Sequence, residues 1–447
     1  MNAHGYSPGS QTVSDNAWAA PVADGAVQAT LTVPGSKSLT NRELILAALA
    51  DGPSLLTAPL HSADSARMAA ALATLGVGIE YVPGEGAFGD DISVTPTRPF
   101  RGDVEVDCGQ AGTAMRFITA IAGLAVGEVA ITAHHSALSR PMGAMIKALR
   151  DVGVDIDDGG RWALPFSVHG HGHIRGGEIA IDASQSSQFV SGLLLAAPRF
   201  DVGLHVIHTG PRLPSMPHIE MTIEALSRRG VHVERPAPNE WIVPTSGVRA
   251  KNIAIEPDLS NAAPFLAAAM ITGGQVSVTG WPPHSTQPGR LLTEILPQFG
   301  ARAVRRGGAL TVTAGSSITG VDLDLSAAGE LAPNLFAVAA FADGPSTLRG
   351  IGHIRGHETD RIAALITELR GLGGSAEELE DGIRITPRPL HGGTWHTYHD
   401  HRLATTGALI GLGTPGVVIE DISTTEKTLP QFVELWQRMR SSEPAPS

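Results

Sequence analysis

The sequence predicts an α/β chain of two bodies, each made of three β-α-β-α-β-β units with helices inside and sheets outside. Three observations carry this. Glycine- or hydroxyl-rich turns that open onto runs of Ala, Leu and Gly recur near Ser38, Gly112, Ser186, Ser260, Glu330 and His401, at separations of 74, 74, 74, 70 and 71 residues. A second helical pattern, with longer apolar side chains and a glycine close, follows in the same rhythm, and short alternating runs come after it. A unit of about 70 residues is too large for a solenoid repeat and too small to stand alone as one of six domains, whereas three together reach ordinary domain size. A doubly wound α/β sheet, the competing architecture, gives no reason for a period that holds along the whole chain.

The small-residue helices are expected over 40–50, 112–124, 186–197, 260–271, 331–342 and 401–411. Their Ala and Gly content suits close contact with other elements. The second set is expected over 66–76, 142–153, 219–230, 291–300 and 361–373, each ending on a glycine that is a natural C-cap. Val77-Gly78-Ile79-Glu80 and Val231-His232-Val233-Glu234 alternate and read as strands. The boundary falls near Glu256-Pro257-Asp258, with an earlier crossing near Val33-Pro34. The first body then covers 35–256 and the second 27–34 plus 257–440, with two crossings making a hinge. Residues 1–26 carry no Lys or Arg and no long apolar run, so they read as a flexible tail, neither a secretory signal nor an Arg-rich transit peptide.

A formal charge of −12 and a pI near 5.8 argue against nucleic acid or an anionic membrane as the main partner. An anionic substrate then requires a local basic cluster. Lysine is scarce, with Lys37, Lys147, Lys251 and Lys427 the whole set, and two of the four fall inside the motifs below. The single cysteine, Cys108, excludes an intrachain disulfide and a zinc-cysteine cluster, which makes the cytoplasm the default compartment. The apolar runs carry too many Gly, Ala and polar interruptions for a membrane span.

Gly35-Ser36-Lys37-Ser38 is a glycine turn with a cation and hydroxyls at a helix start, where free backbone N–H groups favour an anion. It lacks the full spacing of a nucleotide-binding phosphate loop. Arg42 falls on the same helical face as Ser38. Gly112-Thr113 repeats the arrangement, Arg140 precedes a helix-opening proline, and Ser186-Ser187-Gln188 and Ser215 supply hydroxyls and an amide suited to a polyhydroxylated anion. The second half adds Glu330, Glu358 beside Arg361, Arg402 and Lys427. Carboxylates beside cations near helix starts act as proton carriers if their surroundings tune them, and are otherwise salt-bridge partners. His353, His357 and Glu358 lack the order of a zinc-binding helix motif, and no metal or cofactor is expected.

The strings GSKSLTNR, QAGTAMR, SRPMG, SSQF, SMPH, HIRGHETDR, DHR and EKT, in that order over about residues 30–440, resemble the enolpyruvyl transferases, and among them the members that act on shikimate 3-phosphate. Ser38 favours these over the sister enzymes acting on UDP-N-acetylglucosamine, which carry Asn after the loop lysine and a mobile cysteine that Cys108 does not resemble. The resemblance implies the inverse α/β barrel-like fold of that family, closing on substrate in the interdomain cleft. It also implies transfer of the enolpyruvyl group of phosphoenolpyruvate to the 5-hydroxyl of shikimate 3-phosphate, with release of phosphate, by a cytoplasmic monomer of the shikimate pathway.

Carried over position by position, the resemblance implies that Lys37, Ser38, Arg42, Ser186, Ser187, Ser215, Glu330 and His357 hold shikimate 3-phosphate. Phosphoenolpyruvate falls to Lys37, Gly112, Thr113, Arg140, Gln188, Arg361, Arg402 and Lys427. Glu330 is then the base and Glu358 the proton donor, with Lys37 and Lys427 compensating charge. Gly112 is the position where a methyl would crowd the inhibitor glyphosate, which implies a sensitive enzyme. Glu330 stands where many relatives have Asp, Gln110 where many have Asn, and His353 and His357 where many have Asn and Lys. The alternatives are a transferase with another acceptor and a catalytically silent anion-binding protein.

Overall fold

The computed structural model describes residues 16–441. Among these, the first half carries the helices α1 (Lys37–Ala48), α2 (Ala63–Thr74), α3 (Gly112–Ala122), α4 (Gly143–Asp151), α5 (Ser187–Ala196) and α6 (Met216–Arg228). The second half carries α7 (Ala263–Thr272), α8 (Leu292–Gln298), α9 (Ala332–Ala340), α10 (Arg361–Gly371), α11 (His401–Gly413) and α12 (Phe432–Arg440). Helices α1, α3 and α5 pack on one another, as do α7, α9 and α11. Nearly every residue of these six is buried. Small side chains allow that packing: a Cβ on Gly192 of α5 would lie 3.1 Å from the Arg116 carbonyl oxygen and 3.3 Å from Phe117 Cδ1 of α3.

Each helical layer is covered by short sheets. Asp322–Asp324 pairs in parallel with Ser346–Arg349, which pairs antiparallel with Gly382–Thr386, itself antiparallel to Ser375–Leu379. With α9 and α10 as the connections this is one β-α-β-α-β-β unit. The same order recurs in Gln28–Leu31, Gln275–Thr279, Ala309–Thr313 and Arg302–Arg306, and in Ile253–Ala254, Ser54–Thr57, Asp91–Thr95 and Gly78–Val82. In both, the leading strand is supplied by a segment remote in sequence. Two separate apolar cores result, one drawn from Leu39 to Ile255, the other from Ala20 to Val33 and Leu259 to Met439.

The two passages between these cores run side by side. Ser36 N–H donates to the Glu256 carbonyl at 2.7 Å and Asp258 N–H to that of Pro34 at 2.8 Å. Gly35 sits between them, and a Cβ there would lie 2.3 Å from the Ala58 carbonyl oxygen, so no other residue fits.

Two expectations need correction. The tail expected over 1–26 does not extend that far: Trp18–Ala19 pairs antiparallel with Ile419 and Val418, Ala20 N–H donates to Val417 O at 2.9 Å, and Ala20 is buried against α11. A two-residue strand has no periodicity to read; the rest of that tail, 1–15, lies outside the described residues, as does the end of the chain from 442. The strand expected over Val231–Glu234 is reduced to a single bridge between Glu234 and Ile242. In that register His232 would next face Pro244, which has no N–H to donate.

Just past α6, the Arg229 guanidinium donates to Glu43 Oε2 of α1 at 2.8 Å, with neither side chain exposed, and to Ser54 Oγ at 3.1 Å. Removing one partner of a fully buried pair strands the other. Arg229→Ala should therefore lower folding stability by about 3–5 kcal/mol, read as a drop in the urea midpoint.

Candidate active site

A cleft between the two bodies is lined by Lys37, Ser38, Gly112, Thr113, Arg140, Ser186, Ser187, Gln188, Ser215, Glu330, His357, Glu358, Arg361 and Arg402. Helix starts bring most of them there. Ser36 caps α1, its Oγ accepting from Leu39 N–H, and Lys37 is the first helical residue. Lys37 N–H donates to Asp258 Oδ2 at 3.0 Å and its Nζ to Asp64 Oδ2 at 3.2 Å. Gly112 opens α3 with no side-chain cap, which leaves its first N–H groups facing the cleft region. Ser186 caps α5 by accepting from Gln188 N–H. Ser215, ahead of α6, is held left-handed at φ 53°, a strained conformation for a residue with a Cβ, and its N–H donates to Ser326 O of the other body at 3.2 Å.

Two expected site residues lie just behind the cleft lining. Arg42 lies beneath the cleft and donates to Thr222 Oγ1 at 2.8 Å, Ser38 O at 2.8 Å and His218 O at 2.9 Å. Burial pushes it down to about 9, against the pull of Glu330. It ties α1 to α6 beneath the cleft. Lys427 sits behind Glu358, its Nζ donating to Oε1 at 2.8 Å.

The carboxylates come in two settings. Glu330, from the turn before α9, accepts from Ser260 Oγ on one oxygen and is 2.8 Å from His218 Nε2 on the other. Burial pushes its carboxyl up, but His218, Arg402 and Ser260 outweigh burial and hold it well below the usual carboxylate range. Glu358 accepts from Lys427 on Oε1 and from Arg361 Nη2 at 2.6 Å on Oε2. Burial is again the largest single effect, and Lys427, Arg361, His401 and Arg140 together overcome it, so this carboxyl is also held well below its ordinary value.

Arg361 is aimed by Asp400, which accepts from Nε at 2.7 Å and from Nη2 at 3.1 Å, while the Arg361 Nη1 lies 3.0 Å from His357 Nδ1. Asp400 also caps α11 through Arg402 N–H, and Arg402 Nη1 donates to Ser260 O at 3.0 Å. Arg140 Nη1 donates to Gln110 O at 2.7 Å. Arg116, not singled out in the sequence, lines the cleft beside Gly112, and burial with Arg140 lowers it to about 10.

Sequence reasoning also missed Asp400, Asp258, Ser260 and Asp64, which aim the cations. Asp400 was visible as an N-cap in Asp400-His401-Arg402, and Asp258 marks the second crossing. Asp64 had no signal beyond a helix start. Among the described residues no group of three or more His, Cys, Asp or Glu could hold a metal ion, and no helix is long and apolar enough to cross a membrane.

A model of the EPSP synthase (3-phosphoshikimate 1-carboxyvinyltransferase) family matches residues 22–436. The chain belongs to the EPSP synthase family. It is 53% identical over 434 residues to the 3-phosphoshikimate 1-carboxyvinyltransferase of Kocuria rhizophila, covering 96% of this chain and 98% of the relative. An EPSP synthase structure from Acinetobacter baumannii is 27% identical with a TM-score of 0.77, covering 94% of this chain and 97% of that one. The enolpyruvyl transferase NikO from Streptomyces tendae, 16% identical with a TM-score of 0.73 over 94% of this chain and 96% of its own, shares the fold. The chain is thus an enzyme of the EPSP synthase family, a transferase of the shikimate pathway to aromatic amino acids.

His353 and His357 are two imidazoles at the edge of this cleft. Burial pushes His353 down from its ordinary 6.5 to about 4, with Asp381 opposing and Arg361 and His218 adding to the fall. His357 is pushed well below its ordinary value by burial and then Arg361. The unfolded chain takes up a proton at His353 as pH falls through 6.5, and the folded chain does not until about 4, so stability is full above 6.5 and declines across that window. His353→Asn should make that decline shallower in urea midpoints measured across the window, with His357 and His401, both pushed well below their ordinary values by burial, sustaining the rest.

Proposed function

We propose that the chain transfers the enolpyruvyl group of phosphoenolpyruvate to the 5-hydroxyl of shikimate 3-phosphate, as a cytoplasmic monomer without metal or cofactor. The observation that carries this is the gathering, in one cleft of an EPSP synthase family member, of two carboxylates from one body with Lys37 and Arg140 from the other and Arg361, Arg402 and Lys427 around them. That charge pattern suits a substrate pair with two phosphates and two carboxylates. Ser38, Ser186, Ser187, Ser215 and His357 hold shikimate 3-phosphate, with Arg42 supporting them from below. Lys37, Arg140, Gln188, Arg361, Arg402 and Lys427 hold phosphoenolpyruvate over Gly112 and Thr113. The bodies fold as inverse α/β barrels and close on the pair.

Glu330 takes the 5-hydroxyl proton as that oxygen bonds to C2 of phosphoenolpyruvate, while Glu358 delivers a proton to C3, giving a tetrahedral intermediate. The C2–O bond to phosphate then breaks as C3 returns its proton, and the double bond re-forms. Glu358 must be protonated to begin. An anionic substrate on Lys427 and Arg361 offsets the two charges that hold Glu358 ionised, so binding itself raises the acid towards its working range. The cations also stabilise charge as it moves from hydroxyl to departing phosphate.

Phosphate release from phosphoenolpyruvate should require shikimate 3-phosphate, and UDP-N-acetylglucosamine should not replace it; release with neither acceptor would refute the reaction. Glu358→Gln should lower kcat by about 10²- to 10⁴-fold with little change in KM, whereas a rise in KM alone would remove Glu358 from proton transfer. A Cβ at Gly112 would lie 3.0 Å from Arg116 Nη1, 3.5 Å from Gln188 Oε1 and 3.8 Å from Arg140 Nη1. Glyphosate should therefore inhibit this enzyme in competition with phosphoenolpyruvate, and Gly112→Ala should weaken the inhibition in the same assay.

A further inference from the structure

Glu330 and His218 come from different bodies, and each is mounted rigidly on its own. His218 lies in the first turn of α6, where its carbonyl oxygen accepts from Arg42 Nη2 at 2.9 Å and from Thr222 Oγ1 at 3.0 Å, and its N–H donates to Ser215 O at 2.9 Å. Arg42 is almost fully buried, so this end of α6 is fixed to the core of the first body. Glu330 sits in a tight turn that packs on His353, since a Cβ on the neighbouring Gly329 would lie 2.5 Å from His353 Nε2. Between these mounts, His218 Nε2 lies 2.8 Å from Glu330 Oε2.

We infer that His218 is the positioning residue of the proposed base: it reaches across the cleft, donates to Glu330 Oε2, and aims the carboxylate only when the two bodies have come together. The inference rests on the reaction proposed above. Neighbouring contacts between the bodies accompany it: Ser215 N–H donates to Ser326 O at 3.2 Å, Thr286 Oγ1 to Glu224 Oε2 at 2.8 Å, and Arg212 pairs with Asp381. Separating the bodies breaks the His218 contact and leaves Ser260, on Glu330's own side, as the remaining hydrogen-bond donor to Glu330. A carboxylate with one oxygen released is free to rotate away from the acceptor hydroxyl, so closure and readiness of the base become one event.

The charged and titratable groups facing the pair are His353 beside His218, and Arg402, Asp258, Arg42, Arg361 and His357 around Glu330.

The test is steady-state kinetics of the full chain and of His218→Phe, His218→Tyr and His218→Gln, with both substrates. His218→Phe should lower kcat by about ten- to a hundredfold while leaving both KM values nearly unchanged. His218→Tyr and His218→Gln, which keep a donor, should recover much of that loss. Thermal melts identify any variant that fails to fold, and the remaining variants then decide the question. A Phe variant with parental kcat, a Phe variant altered in KM alone, or Tyr and Gln variants no better than Phe would each overturn the inference. If the parent releases no phosphate with these substrates, the reaction proposed above fails and the inference falls with it; an active parent with an indifferent Phe variant removes the inference alone.

Discussion

Everything in this molecule hangs on the double passage of the chain between its two cores. The segments at Gly35 and Pro257 run antiparallel and touch through backbone hydrogen bonds, which makes a narrow connection in place of a long flexible one. Each passage also delivers a strand: Gln28–Leu31 completes a sheet of the second body before the chain leaves it, and Ile253–Ala254 completes one of the first before the chain returns. The crossing is therefore tied into both bodies, and neither can lose it without losing a sheet edge. The same geometry sets Lys37, first residue after one crossing, against Asp258, just after the other.

From that point the cleft is built by pairing charges that would be costly to bury singly. Lys37 has Asp64, Arg361 has Asp400 and Glu358, and Lys427 has Glu358. A buried cation without such a partner would shed its proton or move to solvent. Asp400 serves two functions at once, aiming Arg361 and capping α11, so the orientation of the guanidinium is fixed by a helix end. Each carboxylate taken for proton transfer is held on both oxygens, Glu358 within its own body and Glu330 across the cleft. That difference gives the two groups different relations to closure.

Small-residue helices explain why such a site can exist in an acidic protein. With Ala and Gly at their contacts, α1, α3 and α5 in one body and α7, α9 and α11 in the other approach closely and leave their N-terminal ends together at the facing surfaces. Backbone N–H groups, caps and first-turn cations converge there, and the local field opposes the net charge of the chain.

The period, the helix starts and their glycine and hydroxyl caps were legible in the sequence because local chemistry produces them: a helix needs a cap, a stop and a packing face, and each leaves its residue type at a fixed spacing. The cleft-lining residues at those helix starts, such as Ser186 and Gly112, were legible for the same reason. What the sequence could not show were the partners. Asp64, Ser260 and His218 reach their partners across separations of 27, 70 and 112 residues, and no local pattern encodes such a meeting. Arg42 reads as a ligand because it shares a helical face with Ser38, and only the fold shows that it also ties α1 to α6. Trp18–Ala19 reads as tail because two residues carry no period, and only the open edge beside Val417–Ile419 makes a strand of them. The sequence by itself determined the units and the chemistry offered at each helix start. The tertiary structure alone decided which charges face one another, because hydrogen bonds and ion pairs depend on distance in space, and that distance is set by packing between remote segments.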